Sequence, residues 1–207
     1  WGFVLLGGFS AIPPLCTDIY TPSLPDVAAE LTAPASGVQL TLTAFMVGLA
    51  LGQLIIGTVS DALGRRRLML AGGAVTVLAT IGCAVAPGIT VLVICRILQG
   101  LAGAAGVVLA RAIIADCTSG PRTAKLLGVL QVVVGVAPVI APLIGALLAQ
   151  AFGWRGVFWT IAAIMALLTA IASFSLPETL PAQRRRPVGF RATMGSLGTV
   201  LSRRGFV

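Results

Sequence analysis

The sequence predicts an all-α membrane protein with six transmembrane helices, and three observations lead to this fold class. First, 57% of the 207 residues are hydrophobic and 10% are charged, with a mean hydropathy of +1.04, whereas soluble domains are about 25% charged. Second, the uncharged segments exceed the roughly 20 residues that cross a bilayer. Third, apolar residues do not alternate in them, which favours helices over barrel strands. These segments are 31–60, 68–95, 126–154 and 156–177.

The boundaries of the spans follow from charged residues and from residues that interrupt helices. The Pro- and Gly-containing loop 33–37 separates the first span from the second, and the arginines at 65–67 separate the second from the third. Pro87-Gly88 ends the third span, residues 113–125 separate the fourth from the fifth, and Arg155 precedes the sixth. The predicted spans are 3–24, 38–59, 68–86, 89–112, 126–151 and 157–176.

The loop charges predict how the spans are oriented. Six spans place loops 60–67, 113–125 and 177–207 on one side, where they carry 11 basic residues, and leave only Arg155 on the other side. Basic loops face the cytoplasm, so we predict a multi-pass protein of the cell (inner) membrane. The basic loop residues are Arg65, Arg66, Arg67, Arg122, Lys125, Arg184, Arg185, Arg186, Arg191, Arg203 and Arg204.

The composition also limits the chemistry of the protein. The chain has no His, and its six acidic residues do not cluster with metal-ligand spacing. We therefore predict no enzymatic activity, no metal site and no cofactor. The four cysteines are scattered in apolar sequence and are predicted to be free thiols. Because topology accounts for the net charge of +8, no nucleic-acid partner is predicted.

The chain divides into two predicted parts. Residues 1–176 form the six-helix bundle, and residues 177–207 form a cytoplasmic linker. The sequence begins at Trp1 without an initiator Met and stops just after Arg203-Arg204-Gly205-Phe206. We therefore expect a fragment of a longer protein, with the linker leading to a second bundle that is missing here.

The junction between the second and third spans carries the most specific motif. Gly57, Asp61, Gly64, Arg65 and Arg66 follow the spacing G-x-x-x-D-x-x-G-R-R. This pattern resembles the signature of the major facilitator superfamily, whose members are transporters, and the resemblance implies a gate-like role. Asp61 and Arg65 stand four residues apart in the order that favours an ion pair on a helix. Gly57 is expected to permit close helix approach, and Gly64 a tight turn.

Two further stretches resemble motifs of the same superfamily. Arg96, Gln99 and the Gly after it are similar to the fourth-helix motif, an intramembrane arginine followed by Gln-Gly. The fifth span is similar to the antiporter motif G-P-x-x-G-G in keeping Pro138 after Gly135, although Ala137, Ala141 and Pro142 replace its glycines. Proline interrupts helix hydrogen bonding, so a bend is expected near Pro138 and Pro142.

The first span narrows the resemblance to one branch. Residues 13–25, with the sequence PPLCTDIYTPSLP, resemble the start of the bicyclomycin and chloramphenicol resistance (Bcr/CflA) drug efflux proteins, and 111–116 fit the same branch. The resemblance implies a twelve-helix fold of which this chain is the N-terminal half. Each half of that fold contains two inverted three-helix repeats. We find no residue-level repeat here, although spans one and four correspond in carrying a charge.

Four charged residues are the principal site residues predicted. Asp18 and Arg96 reach similar depths in the membrane, where a charge is costly and faces a partner or a wet cavity. Similar depth permits them to pair, and we predict that they act with Gln99 in proton coupling and substrate binding. Asp116 is expected to pair with Arg65.

Outside these groups, Gly48, Gly52, Gly100, Gly103 and Gly106 are predicted to pack helices closely, and Tyr20, Trp154 and Trp159 to lie at the membrane interface.

The sequence thus indicates the N-terminal half of a proton-coupled drug efflux antiporter that works by alternating access. Its partners would be a small-molecule drug, protons, the lipid bilayer and the C-terminal half of the same transporter. A metabolite or sugar carrier of the same superfamily is one alternative. A membrane-embedded enzyme or a non-transporting scaffold belongs to another class, and the missing His and paired acids argue against the enzyme.

Overall fold

The computed structural model describes residues 2–180, and its long elements are all helices. The predicted linker lies outside the described residues from 181 onward, together with Arg184, Arg185, Arg186, Arg191, Arg203 and Arg204. A 3-10 turn at Thr21–Ser23 separates the first two helices. The helices are α1 (Gly2–Asp18), α2 (Leu24–Glu30), α3 (Ala35–Leu63), α4 (Arg65–Ala84), α5 (Ile89–Cys117) and α6 (Pro121–Ser175).

The described residues contain five helical segments long and apolar enough to cross a membrane. One of them, α6, has 55 residues and would be about 80 Å long if straight, far beyond a bilayer. It is broken at Gly153, whose φ of 68° and ψ of 176° are not helical. The parts before and after Gly153 match the fifth and sixth predicted spans. The predicted six-span fold is therefore confirmed.

Two local predictions need correction or refinement. The first span was expected to be one helix to residue 24, but α1 ends at Asp18 and the chain reaches Glu30 through the 3-10 turn and α2. Pro22 explains the break, because it lacks the N–H group that would continue the helical ladder. At Pro138 and Pro142 the chain remains helical, so the bend expected there stays a prediction, and the non-helical angles of α6 occur at Gly153.

Glycines set how closely the helices approach, as predicted for α3 and α5. A Cβ atom at Gly48 would overlap the carbonyl oxygen of Ile97, and one at Gly100 would overlap that of Phe45. The other predicted positions, Gly52 and Gly106, make equally tight approaches, whereas Gly103 makes only an ordinary contact. Among the described residues, a Cβ at Gly57 would meet nothing within 4 Å, so the close helix approach expected there is not made within this bundle and stays a prediction.

This difference between glycines yields a stability prediction. We expect Gly100→Ala to lower the free energy of unfolding by about 1–3 kcal/mol, as overpacking does, because the rigid backbone of α3 cannot move aside. Gly57→Ala is the matched control and should change it by less than about 1 kcal/mol, since Ala only improves helix propensity there. Thermal unfolding in detergent measures both. Equal stability of the two variants would contradict the packing assigned to Gly100.

The outer surface of the bundle is apolar. Leu54 on α3, Val139 and Leu143 on α6 and Phe174 near the end of α6 are all strongly exposed. The first part of α6 buries little of its surface within the bundle. Such a surface is stable in lipid rather than in water. All four cysteines are free, as predicted, and Cys117 is the exposed one.

Candidate functional site

A cluster of charged side chains lies where α3 joins α4. Gly64 is the single residue between the two helices, and its φ of 91° is in the region that favours glycine. The turn places Arg65 at the first position of α4, buried among acidic side chains. Arg65 Nη1 lies 2.8 Å from Asp61 Oδ1, and Arg65 Nε donates to Asp116 Oδ2 at 3.0 Å. The structure thus places the predicted Arg65–Asp116 pair in direct contact.

The same cluster includes contacts that the sequence analysis missed. Arg65 Nη1 also donates to the hydroxyl of Ser60, and the backbone N–H of Arg65 donates to Glu178 Oε1 at 2.9 Å. Arg66 Nη2 donates to the carbonyl oxygen of Ser173 at 2.6 Å. The cluster therefore joins α3, α4 and α5 to the end of α6 and the residues after it. We call Ser60, Asp61, Arg65 and Asp116 the basic-end cluster.

A second polar group lies inside the bundle around Arg96, which is 0% exposed. Arg96 Nη1 donates to the carbonyl oxygen of Cys16 at 3.0 Å and to Gln99 Oε1 at 2.8 Å. Its Nε makes a longer bond of 3.4 Å to the carbonyl oxygen of Thr41. Gln99 Nε2 in turn donates to Thr80 Oγ1 at 2.8 Å. Arg96 and Gln99 therefore form one network that joins α1, α3, α4 and α5.

Aromatic rings surround the Arg96 guanidinium, and they require a correction. Its Cζ atom lies 4.5 Å from the ring centroid of Phe45, 4.9 Å from that of Tyr20 and 5.8 Å from that of Phe158, within the range of cation–π attraction. Tyr20 was expected at the membrane interface but is buried, as is Trp154, and only Trp159 is exposed. The Tyr20 hydroxyl hydrogen-bonds Thr41 Oγ1 at 3.1 Å, so burial leaves no polar atom of this ring unpaired.

Asp18 lies on a different side of α1 from Arg96. The side chain of Cys16 faces the Arg96 network, because its sulfur accepts a hydrogen bond from Gln99 Nε2 at 3.6 Å. Two residues correspond to about 200° around a helix, so Asp18 points away from that network. It lines a cavity of about 270 Å³ with Thr17, Gln53 and other side chains. Among the described residues, Asp18 forms no ion pair with Arg96, although similar depths were predicted for them.

The helix-five motif residues lie apart from both polar groups. Gly135 and Pro138 are exposed on α6 and Pro142 is half-buried, and none of them lines the Asp18 cavity. A Cβ atom at Gly135 would meet nothing within 4 Å. Val134, one residue earlier, contributes to the cavity instead. The motif therefore borders the cavity without forming its wall.

The opposite end of the bundle carries a polar cluster that sequence reasoning did not identify. Arg155 Nε donates to Glu30 Oε1 at 3.0 Å, and Trp154 Nε1 donates to Glu30 Oε2 at 2.7 Å. Arg155 Nη1 also donates to the carbonyl oxygens of Ala84 at 2.7 Å and Ala86 at 3.0 Å. The only feature of the sequence that pointed to this cluster was Arg155, the single basic residue in the loops predicted for that side of the protein. We call Glu30, Trp154 and Arg155 the outer cluster.

Comparison with known proteins places this architecture in a family. The model of the Major Facilitator Superfamily matches residues 5–206. The chain belongs to the major facilitator superfamily. A solved superfamily structure, the proton:xylose symporter XylE, superposes on 86% of this chain and 44% of its own with a TM-score of 0.77. Its sequence identity is 16%, so this likeness concerns the fold alone.

Two superfamily relatives are closer in sequence. The chain is 42% identical over 205 residues to a Bacillus subtilis (strain 168) protein named Uncharacterized MFS-type transporter YdgK, covering 98% of this chain and 51% of that protein. It is 36% identical over 190 residues to the bicyclomycin resistance protein homolog of Haemophilus influenzae, covering 90% and 47%. The resemblance to the bicyclomycin branch is therefore confirmed. The chain spans about half the length of the curated relatives it matches.

Proposed function

We propose that this chain forms the N-terminal half of a drug efflux transporter in the cell membrane, which exchanges drug for protons by alternating access. The observation that carries the proposal is Asp18, whose carboxyl group lies at the end of α1 and lines a largely apolar cavity. Similarity to a protein named for bicyclomycin resistance supports drug as the substrate class. Superfamily membership argues against the enzyme alternative.

The cavity supplies the chemistry for exchange. A carboxylate within a membrane is costly unless it meets a partner or water, and the Asp18 side chain borders an open space instead of an arginine. Thr17 and Gln53 add polar groups to a wall that is otherwise largely apolar, as is typical of small-molecule sites. Asp18 can therefore hold a proton or face a cationic drug, but not both at once. This mutual exclusion couples the two movements.

Arg96 and Gln99 have a supporting role in this mechanism. The Arg96 guanidinium binds the carbonyl oxygen of Cys16, two residues before Asp18. That bond fixes the last turn of α1 against α5. The orientation of Asp18 toward the cavity then depends on Arg96 through the backbone and not through an ion pair.

The basic-end cluster is suited to control access to the cavity from the cytoplasm. Arg65 joins acidic groups on α3 and α5, so these helices cannot separate at that end without breaking ion pairs. In alternating access, the halves of a transporter rock about a central site. We infer that α3 and α5 change their spacing at this end when the halves rock, and contacts between them then bias the equilibrium between the two states.

A resistance profile tests the proposal. Cells that express the full-length protein should tolerate higher concentrations of its drug substrates, and a proton-gradient uncoupler should abolish that tolerance. An empty vector and a variant lacking Asp18 are the controls. Tolerance that persists with the uncoupler would contradict proton coupling. Substrate that enters the cell together with protons would instead indicate a carrier that takes up a metabolite or sugar.

The orientation can be checked with Cys117. This thiol is exposed at the end of α5 that carries the basic loops, which we place in the cytoplasm. In a variant that keeps only Cys117, a membrane-impermeant maleimide added to intact cells should leave it unlabelled, and permeabilised cells should show full labelling. Labelling before permeabilisation would reverse the orientation.

A further inference from the structure

Two junctions of the bundle share an unusual backbone. α3 joins α4 through Gly64, with φ 91° and ψ 155°, and the two parts of α6 join through Gly153, with φ 68° and ψ 176°. Each glycine is followed within two residues by an arginine, Arg65 in one case and Arg155 in the other. The two junctions lie at opposite ends of the bundle.

The acidic partners of the two arginines correspond. Arg65 pairs with Asp116 at the end of α5, and Arg155 pairs with Glu30 at the end of α2, each with an N–O distance of 3.0 Å. Spans one to three form one set and spans four to six the other. Asp116 lies in the last turn of span four, whereas its partner Arg65 belongs to the first set. Glu30 lies at the end of the segment that contains span one, whereas its partner Arg155 belongs to the second set. Each arginine therefore connects residues 2–84 with residues 89–175.

The carbonyl partners correspond as well. Arg66 donates to the carbonyl oxygen of Ser173, near the end of the sixth span. Arg155 donates to the carbonyl oxygens of Ala84 and Ala86, at the end of the third span. In an inverted repeat, spans one, two and three correspond to spans four, five and six. The contacts of the two junctions follow that correspondence, although the sequence shows no residue-level repeat beyond the glycine and the arginine.

We propose that the outer cluster is the inverted counterpart of the basic-end cluster and holds the two three-helix repeats together at the outer end of the bundle. This inference rests on the proposed function, in which the basic-end cluster favours closure on the cytoplasmic side. For the bundle to open at one end, the cluster at that end must loosen, while the cluster at the opposite end keeps the two repeats together. The two clusters therefore bias the alternating-access equilibrium in opposite directions.

The chemistry of the outer cluster suits a contact that forms and breaks. The side chains of Arg155 and Glu30 are 35% and 51% exposed, so water can replace their bonds at small cost. The Arg155 guanidinium also lies 4.3 Å from the ring centroid of Trp154, and Glu30 accepts a bond from the Trp154 indole. Loss of the Glu30 charge weakens its bonds to Arg155 and to Trp154 at once.

The test measures access to the cavity from outside the cell. In the full-length protein, the four cysteines of this chain and any others are replaced by alanine, and Val134, which lines the cavity, is replaced by cysteine. The rate at which a membrane-impermeant maleimide labels this thiol in intact cells is normalised to the amount of protein. Glu30→Gln and Asp116→Asn are then introduced singly and together. Asp26→Asn is the matched control, because Asp26 is exposed on the same helix as Glu30 and makes no ion pair among the described residues.

We expect Glu30→Gln to raise the labelling rate about two- to fivefold, the range for one partly exposed ion pair. Asp116→Asn should lower it by a similar factor, and the double variant should return toward the starting rate. Arg155→Lys should act like Glu30→Gln, because a single ammonium cannot reach Glu30 and both carbonyl oxygens. Asp26→Asn should leave the rate unchanged.

The outcomes separate this inference from the proposed function. Unchanged or lowered labelling in Glu30→Gln would overturn the role of the outer cluster, even in a protein that exports drug in a proton-dependent way. A shift in the same direction for Glu30→Gln and Asp116→Asn would also overturn it. Opposite shifts in a protein without drug efflux would support the outer cluster and reject the transport proposal alone.

Discussion

We expect Asp18→Asn to abolish drug-induced proton release from the full-length protein while leaving its folding and insertion intact. The substitution keeps the shape of the side chain but removes the group that binds and releases the proton. Asp18 lines the cavity and forms no ion pair among the described residues, so its loss leaves no buried arginine without a partner. Binding of a cationic drug should weaken by about tenfold or more, the effect of losing one charged hydrogen-bond partner, and binding of a neutral drug should weaken less.

Proton release is measured in a weakly buffered detergent solution with a pH indicator as drug is added. Asp26→Asn serves as the control, because it removes one carboxylate that lies outside the cavity on α2. Equal proton release from the wild type and Asp18→Asn would falsify Asp18 as the coupling residue. A cationic drug that bound both proteins equally would show that the carboxylate does not contact the substrate.

The second large effect is expected from the basic-end cluster. Asp61→Asn alone should lower efflux only in part, because Arg65 keeps its bond to Asp116 at 3.0 Å. The double variant Asp61→Asn with Asp116→Asn leaves the buried guanidinium without either of these carboxylates. Removing partners of a buried charge costs about 3–5 kcal/mol, which we reduce to about 1–3 kcal/mol because the two acids are 50% and 25% exposed.

A bias of that size shifts a two-state equilibrium about 5- to 150-fold, so the double variant should lose most of its efflux activity. Efflux of a fluorescent substrate from cells measures the change, with the amount of protein in the membrane determined in parallel. Arg67→Gln is the control, since Arg67 is exposed in the same turn and forms no ion pair in the described part of the chain. Full efflux by a normally inserted double variant would remove the cluster from the gating mechanism.

The sequence alone was sufficient for the number of spans, for the fold and for the family. Long uncharged segments require helices in lipid, and Gly64 with its flanking Asp61 and Arg65 specifies a local turn that depends on neighbouring residues only. The close approach of α3 and α5 at Gly48 and Gly100 was also predicted, although Gly57 and Gly103 make no such approach among the described residues, so a missing side chain permits close packing without specifying it. Span lengths and local turns are properties of short stretches of chain.

The rotation of each helix about its axis was decided only by the tertiary structure. Helices that are apolar on every side carry no hydropathy signal for the face that turns inward. For this reason depth alone left open whether Asp18 meets Arg96, and Tyr20 and Trp154 were wrongly placed at the membrane interface.

Contacts between distant residues were also decided by the tertiary structure. Glu30 and Arg155 are separated by 125 residues, and Arg65 and Glu178 by 113. The sequence does not show which of its distant charges come into contact when the helices pack. Composition and local spacing therefore determined a six-span superfamily bundle with a charged turn, whereas packing decided which side of α1 faces the cavity and which charges join the two repeats at each end.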